Sequence, residues 1–188
     1  MVSTTQLGVL IALLLAAELL IRVIVNPRRY FSKILDKEEQ EHIREFSHNY
    51  QSRALAVAGL GLALGSIILS SDFTNGQENN ASINTVIFLI GVSIGLLIIS
   101  NQTSTLTRTR QIFFALQKLT LDYGFLTLIV AIILFFETRA PSVGPILLIS
   151  LVIIAGIRSV ELGYTLYIDL KMWKRNSETR VGYLRKLV

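Results

Sequence analysis

The sequence predicts an all-α integral membrane protein: a bundle of five transmembrane helices, N-terminus outside and C-terminus cytoplasmic, with short amphipathic cytoplasmic helices. Three observations predict it. Five long apolar runs alternate with short polar segments. Only 16% of the 188 residues are charged and 52% are hydrophobic, against roughly 25% charged in soluble domains. Lys and Arg crowd alternate polar segments and nearly vanish from the others.

The runs are residues 7–25, 54–70, 85–100, 119–136 and 143–164. Each is close to the roughly 20 apolar residues that cross about 30 Å of hydrocarbon. Little chain remains for a soluble domain, so residues 1–188 read as one transmembrane helical domain. Mean hydropathy is +0.56. There is no Cys, which excludes disulfides and thiolate metal ligands.

The first run reads as a permanent helix. Met1–Gln6 lacks the basic stretch that opens a signal peptide. Arg22 comes only after the apolar run has begun, and Ala16-Ala17 leads directly into Glu18 and further Leu.

Orientation follows from the basic residues, because Lys and Arg of short loops stay cytoplasmic. The segment after the first run holds Arg28, Arg29, Lys33, Lys37, Arg44 and Arg53, and the next, residues 71–84, holds none. The third holds Arg108, Arg110 and Lys118, the fourth only Arg139, and the tail Lys171, Lys174, Arg175, Arg180, Arg185 and Lys186. Fifteen basic residues thus face eight acidic ones inside, and one basic faces three acidic outside. The pI of 9.7 therefore describes a basic cytoplasmic face suited to anionic lipid headgroups, with no nucleic acid as partner. The chain fits the plasma or cell membrane.

Small residues mark where helices approach closely in lipid. The second run carries Ala54, Ala58, Gly61 and Gly65 on one stripe, the third Gly91 and Gly95, the first Gly8, Ala12 and Ala16, and the fifth Gly156, Ser159 and Gly163. These stripes pack the bundle or a second copy. The second and third runs, and the fourth and fifth around Pro141, are read as antiparallel hairpins.

Between the first two runs, Asn26-Pro27 breaks the helix. Phe31, Ile34, Leu35, Ile43 and Phe46 then recur among charges, which predicts a short helix along the inner membrane surface, leading into the second run. Residues 108–118 and 169–175 are candidates for similar extensions. Tyr30, Tyr50, Tyr123, Tyr167 and Trp173 all fall near the inner boundary as aromatic anchors. In the outer loop, Asn80-Ala81-Ser82 is an acceptor triplet for glycosylation.

The strongest candidate site is an intramembrane charge cluster. Glu18 and Arg22 lie four apart in the first run, and Arg158 and Glu161 three apart in the fifth, so each pair shares a helix face. Both helices run from outside to inside. A rise of roughly 1.5 Å per residue puts Glu18 and Arg158 at similar depth. Side by side, Glu18 meets Arg158 and Arg22 meets Glu161. Ionised groups at such depth are costly and either pair or line a pathway.

Two Glu-x-x-His spacings, Glu39 with His42 and Glu45 with His48, sit on one short segment. Residues three apart drift by about 60° around a helix, so the four do not converge and no metal site is expected. No cofactor loop, nucleophile–base pair or intramembrane His is present, which argues against an enzyme. The reading is a non-catalytic subunit, scaffold or assembly factor of a membrane complex, whose partners are the bilayer and other membrane subunits or a second copy. The alternative is a transporter or channel protomer with a charged groove between the first and fifth helices. In outline, Arg22, the 26–53 segment and the basic tail make the topology resemble that of membrane-protein insertases, which also have a five-span core. The segment is much shorter here and no sequence motif is shared, so the likeness implies only a groove open to the cytoplasm.

Overall fold

The computed structural model describes residues 4–31, 37–74, 80–107, 110–139, 142 and 144–175. They form α1 (Thr4–Val25), α2 (Pro27–Phe31), α3 (Lys37–Thr74), α4 (Asn80–Thr103), α5 (Gln111–Arg139) and α6 (Gly144–Arg175). Five of these, all but α2, are long and apolar enough to cross a membrane.

α1 stops at Val25 because Pro27 lacks an amide hydrogen and disfavours helix at the residue before it. The same pair starts α2. Asn26 Oδ1 accepts from the Arg29 amide at 3.3 Å, with Pro27 at the first helical position, where its missing donor costs nothing.

The short surface helix expected before the second apolar run is not a separate element. α3 continues unbroken over 38 residues, roughly 57 Å at 1.5 Å per residue. No Gly or Pro falls between Lys37 and Ala58, so the Glu-, Gln- and Arg-rich stretch propagates straight into the apolar one. The candidate extensions at 108–118 and 169–175 are helical too: α5 begins at Gln111, ahead of its apolar run, and α6 runs on to Arg175. Apolar runs mark the lipid-compatible part of a helix, whereas its ends are set by breakers and caps. α4 ends in the polar run 100–107, where side chains bond nearby backbone: Thr103 Oγ1 donates to the Ile99 and Ser100 carbonyls, each at 3.0 Å.

α3, α4 and α5 form the core, with α4 and α5 in the most extensive contact. Ile68, Ile83, Val86, Leu89, Ile90, Leu128 and Ala131 are buried together, with Leu7 and Ile11 of α1 against them. A second cluster joins Ala54, Leu97 and Leu121. The hairpin pairs α3–α4 and α5–α6 are in contact; the turn at Pro141 lies outside the described residues.

The small-residue stripes divide. On α3, Ala54 is buried and Gly61 lies under Ile94 and Leu128, where a Cβ would sit 3.4 Å and 3.6 Å from their side chains. Gly65 faces Ile90, and Ala58 packs on the second cluster. Gly91, Gly95, Gly156 and Gly163 have no atom within 4 Å of an added Cβ; they do not pack this chain's helices. Two glycines would bring an added Cβ to 2.9 Å from a neighbour: Gly8 of α1, against Phe88 Cζ, and Gly124, which lies on none of these stripes. At Gly124 a Cβ would stand 2.9 Å from Leu97 Cγ and 3.3 Å from the Ser93 carbonyl oxygen. Ser93 Oγ donates to the Gly124 carbonyl at 2.6 Å, which pins α4 to α5 at that crossing.

α6 is attached differently. Its apolar face is exposed at Ile146, Ile149, Val152, Ile153, Ile157 and Val160. No residue of its apolar window is buried. What α6 turns toward α1 and α5 is charge.

Candidate functional site

The site is built where α1, α5 and α6 meet. Glu18 and Arg22 are four apart on α1 and form a buried pair, Arg22 Nη2 to Glu18 Oε1 at 2.6 Å. They are only 7% and 4% exposed, so neither charge is relieved by solvent. Arg158 of α6 reaches across, its Nη2 3.0 Å from the same Glu18 oxygen. Glu18 Oε2 accepts from the Tyr123 hydroxyl at 3.1 Å. Glu18 is therefore held by donors from all three helices.

The pairing expected between Glu18 and Arg158 is present. That expected between Arg22 and Glu161 is not: Arg22 turns back to Glu18 on its own helix. Glu161 instead accepts from Arg158 Nη1 at 2.9 Å and from Lys118 Nζ of α5. Asp122, one turn along α5 from Lys118, places Oδ2 3.0 Å from Arg158 Nη2. The physical reason is lateral order. α5 packs against both α1 and α6, so its own charged face enters the set.

The cluster thus contains three carboxylates, Glu18, Asp122 and Glu161, and three cations, Arg22, Lys118 and Arg158. Its formal charge is zero. Buried charges survive only when paired and hydrogen-bonded, because their desolvation otherwise exceeds the Coulomb gain. Satisfaction is nearly complete. Arg158 Nε is buried without a hydrogen-bond acceptor, and Asp122 Oδ2 has the ionic contact alone.

Sequence reading missed Lys118, Asp122 and Tyr123 as members. Lys118 falls in the polar segment ahead of the fourth run, and Asp122 just inside that run near the inner boundary. The signal that finds them is their spacing of four at the head of that run, the same arrangement as Glu18 and Arg22.

A second buried carboxylate ties α2 to α6. Asp169 is fully buried; its Oδ1 lies 2.5 Å from Arg29 Nη1 and its Oδ2 accepts from the Tyr30 hydroxyl at 3.2 Å. Arg29 Nε also donates to Gln111 Oε1 at 3.2 Å, bringing in α5. Burial and the adjacent Asp169 carboxylate push the Tyr30 phenol above its ordinary value.

A third, neutral network holds the same end of the core. Gln117, fully buried, donates from Nε2 to the Ser47 carbonyl at 2.9 Å and accepts from Ser47 Oγ at 2.9 Å. Thr107 Oγ1 donates to Ser47 Oγ at 3.2 Å, and Ser100 Oγ to the Gln117 carbonyl at 2.9 Å.

His42 and His48 are exposed on α3, and the Glu39 side chain lies outside the described residues. Among the described residues no three His, Asp or Glu gather as metal ligands would. Asn80 opens α4, with its side chain outside the described residues.

What this arrangement can do chemically is lock three helices together in a low-dielectric setting. No protein-family model, curated protein or solved structure matches the chain, so residues and geometry alone carry its functional reading.

Proposed function

We infer that the chain is a multi-pass protein of the cell membrane, N-terminus outside and C-terminus cytoplasmic, and that it serves as a non-catalytic subunit, scaffold or assembly factor of a membrane complex. The observation that supports this reading is the self-neutralised set Glu18, Arg22, Lys118, Asp122, Arg158 and Glu161. Most of its donors and acceptors are spent on one another, which suits a structural tie between helices. The apolar face of α6, with Gly156 and Gly163 open on it, is left for lipid, another subunit or a second copy. The alternating Lys and Arg support the orientation, and the basic inner face suits anionic lipids. Asn80 falls on the outer side in this topology, where its acceptor triplet is open to glycosylation.

The test is extraction in a mild detergent. A tagged chain is expected to co-purify with larger membrane subunits in fixed ratio. Recovery of the chain alone, together with ion or solute flux in vesicles containing only this protein, overturns the reading.

One observation favours the second reading, a transporter, channel or insertase-like protein. Lys118, Asp122 and Glu161 keep side-chain exposures of 25%, 25% and 40%. Partly exposed charges inside a span call for a polar groove. The chain has no Cys, so Thr165→Cys, one turn from Glu161, reports directly. Labelling by a membrane-impermeant thiol reagent from the cytoplasmic side supports a wet groove, and protection supports the dry tie.

A further inference from the structure

At the end of the bundle that carries α2, α3 and α4 frame two adjoining concavities. One, about 200 Å³, is lined by Arg44, Ser47 and His48 of α3 and by Ser104, Thr105 and Thr107 beyond α4. The other, about 360 Å³, shares Arg44 and His48 and adds Glu41, Glu45 and Asn49. One compartment is therefore walled by a guanidinium, an imidazole and hydroxyls. The next, across the same two side chains, is walled by two carboxylates.

The chemistry is specific in its order. A guanidinium presents a planar fork of donors suited to phosphate oxygens, and exposed Thr105 lines the same compartment. A simple anion seated there would meet the repulsion of Glu41 and Glu45. A ligand that carries a cation beside its phosphate would satisfy both compartments. Among the described residues, Glu41, Arg44 and Glu45 are joined to one another by no ion pair. The inner wall is already rigid, since Ser47 and Thr107 are fixed by the buried Gln117 network. The placement also fits. His48 and Arg44 precede Ala54, where the apolar stretch of α3 begins, by roughly 9 Å and 15 Å at 1.5 Å per residue, and Ser104 follows Ile99 of α4 by about 8 Å. The concavity thus opens at the outer edge of a headgroup layer, which adds about 5–8 Å to each side of the hydrocarbon, and Arg44 must extend its long side chain inward to meet a phosphate there.

We propose that this double concavity binds a phosphoethanolamine headgroup, with the phosphate on Arg44 and His48 and the ammonium on Glu41 and Glu45. The site takes a phosphatidylethanolamine-type lipid from the leaflet on that side. It rests on the reading of the chain as membrane-embedded, and it goes beyond a general attraction of basic loops for anionic lipid, because the acidic compartment selects against a purely anionic headgroup.

The test uses the full chain, exchanged in detergent against equal amounts of phosphatidylethanolamine and phosphatidylglycerol and read by native mass spectrometry. Wild type is expected to retain the ethanolamine lipid about 5-fold over the glycerol lipid, a difference of about 1 kcal/mol. Arg44→Gln should lose retention of both. Glu41→Gln with Glu45→Gln should bring the ratio to one or reverse it. All three side chains are exposed, and a circular dichroism spectrum unchanged from wild type checks that each variant folds. Equal or greater retention of the glycerol lipid by wild type overturns the proposal, as does undiminished retention by Arg44→Gln. Soluble phosphoethanolamine is the third arm: full displacement of the lipid by an equimolar amount assigns the site to the free compound and overturns the lipid form, whereas lipid retained at that ratio supports it. Alkaline extraction of cell membranes separates the two levels of inference. A chain that stays in the membrane but shows no selectivity overturns this site alone. A chain released by alkali overturns the membrane reading beneath it.

Discussion

Arg158 is the residue on which the charge cluster turns. One guanidinium touches Glu18, Asp122 and Glu161, carboxylates from three helices. Arg158→Leu should strip all three of that cation. Breaking a buried pair in this way costs about 3–5 kcal/mol, read as lost folded yield and a lower unfolding midpoint in detergent. Glu18→Leu in the same chain should recover part of the loss, and strictly additive losses would contradict the pairing. Arg158→Lys should recover little, because an ammonium cannot reach three acceptors in a fork. The Glu18–Arg158 contact was legible in the sequence because depth along a helix follows from counting residues. The partner of Arg22 was not, because which helix stands beside which is decided by packing that no residue count encodes. Tyr30 carries a prediction in pH. Its raised value means that the folded protein favours the neutral phenol. The stability it contributes is whole below about pH 10, the ordinary phenol value, and is lost as pH rises through the folded-state value. Tyr30→Phe should flatten that alkaline decline in a pH series of unfolding midpoints.

Among the elements, the helices were legible and their limits were not. Hydrophobic run length locates a lipid-compatible stretch, and it did so for all five long helices. It says nothing of where a polar extension stops, and α3, α5 and α6 all continue past their apolar runs. Small residues were legible as a pattern but not by face. The α3 stripe points inward, Gly91 and Gly156 point outward, and Gly124, flanked by large residues, makes as close an approach as any described glycine. Gly124→Val should push α4 from α5, strain the Ser93 bond and cost about 1–3 kcal/mol. Gly156→Ala should leave the folded chain unaltered, since nothing stands near its added methyl. Unfolding midpoints of the two variants, compared side by side, check both statements. The Gln117 network was invisible in sequence because Ser, Thr and Gln in a polar stretch look alike whether solvated or buried.

At the scale of the whole molecule, the inferred topology makes a direct prediction. Ser142 and Gln102 are exposed near opposite ends of the bundle. With no native Cys to interfere, Ser142→Cys should label with an impermeant maleimide on intact cells, and Gln102→Cys only after permeabilisation. The reverse pattern would invert the orientation. The architecture is otherwise a dense three-helix core with two outer helices held differently. α1 joins partly by apolar contact through Leu7 and Ile11, whereas α6 offers the core its ion pairs.

Glu18 with Arg22, and Arg158 with Glu161, each form a pair within a single helix as well as joining the larger set. Each outer helix therefore leaves the ribosome with the charges of its pair balanced against each other. α1 can enter the bilayer before α6 has been synthesised, its Glu18 held in the meantime by Arg22 alone. The last helix to emerge then exchanges part of its private balance for a shared one, so synthesis order and electrostatic closure coincide. Arg22→Leu should reveal this: in nascent chains truncated before α6, insertion of the first helix, scored by a glycosylation reporter, should fall relative to wild type.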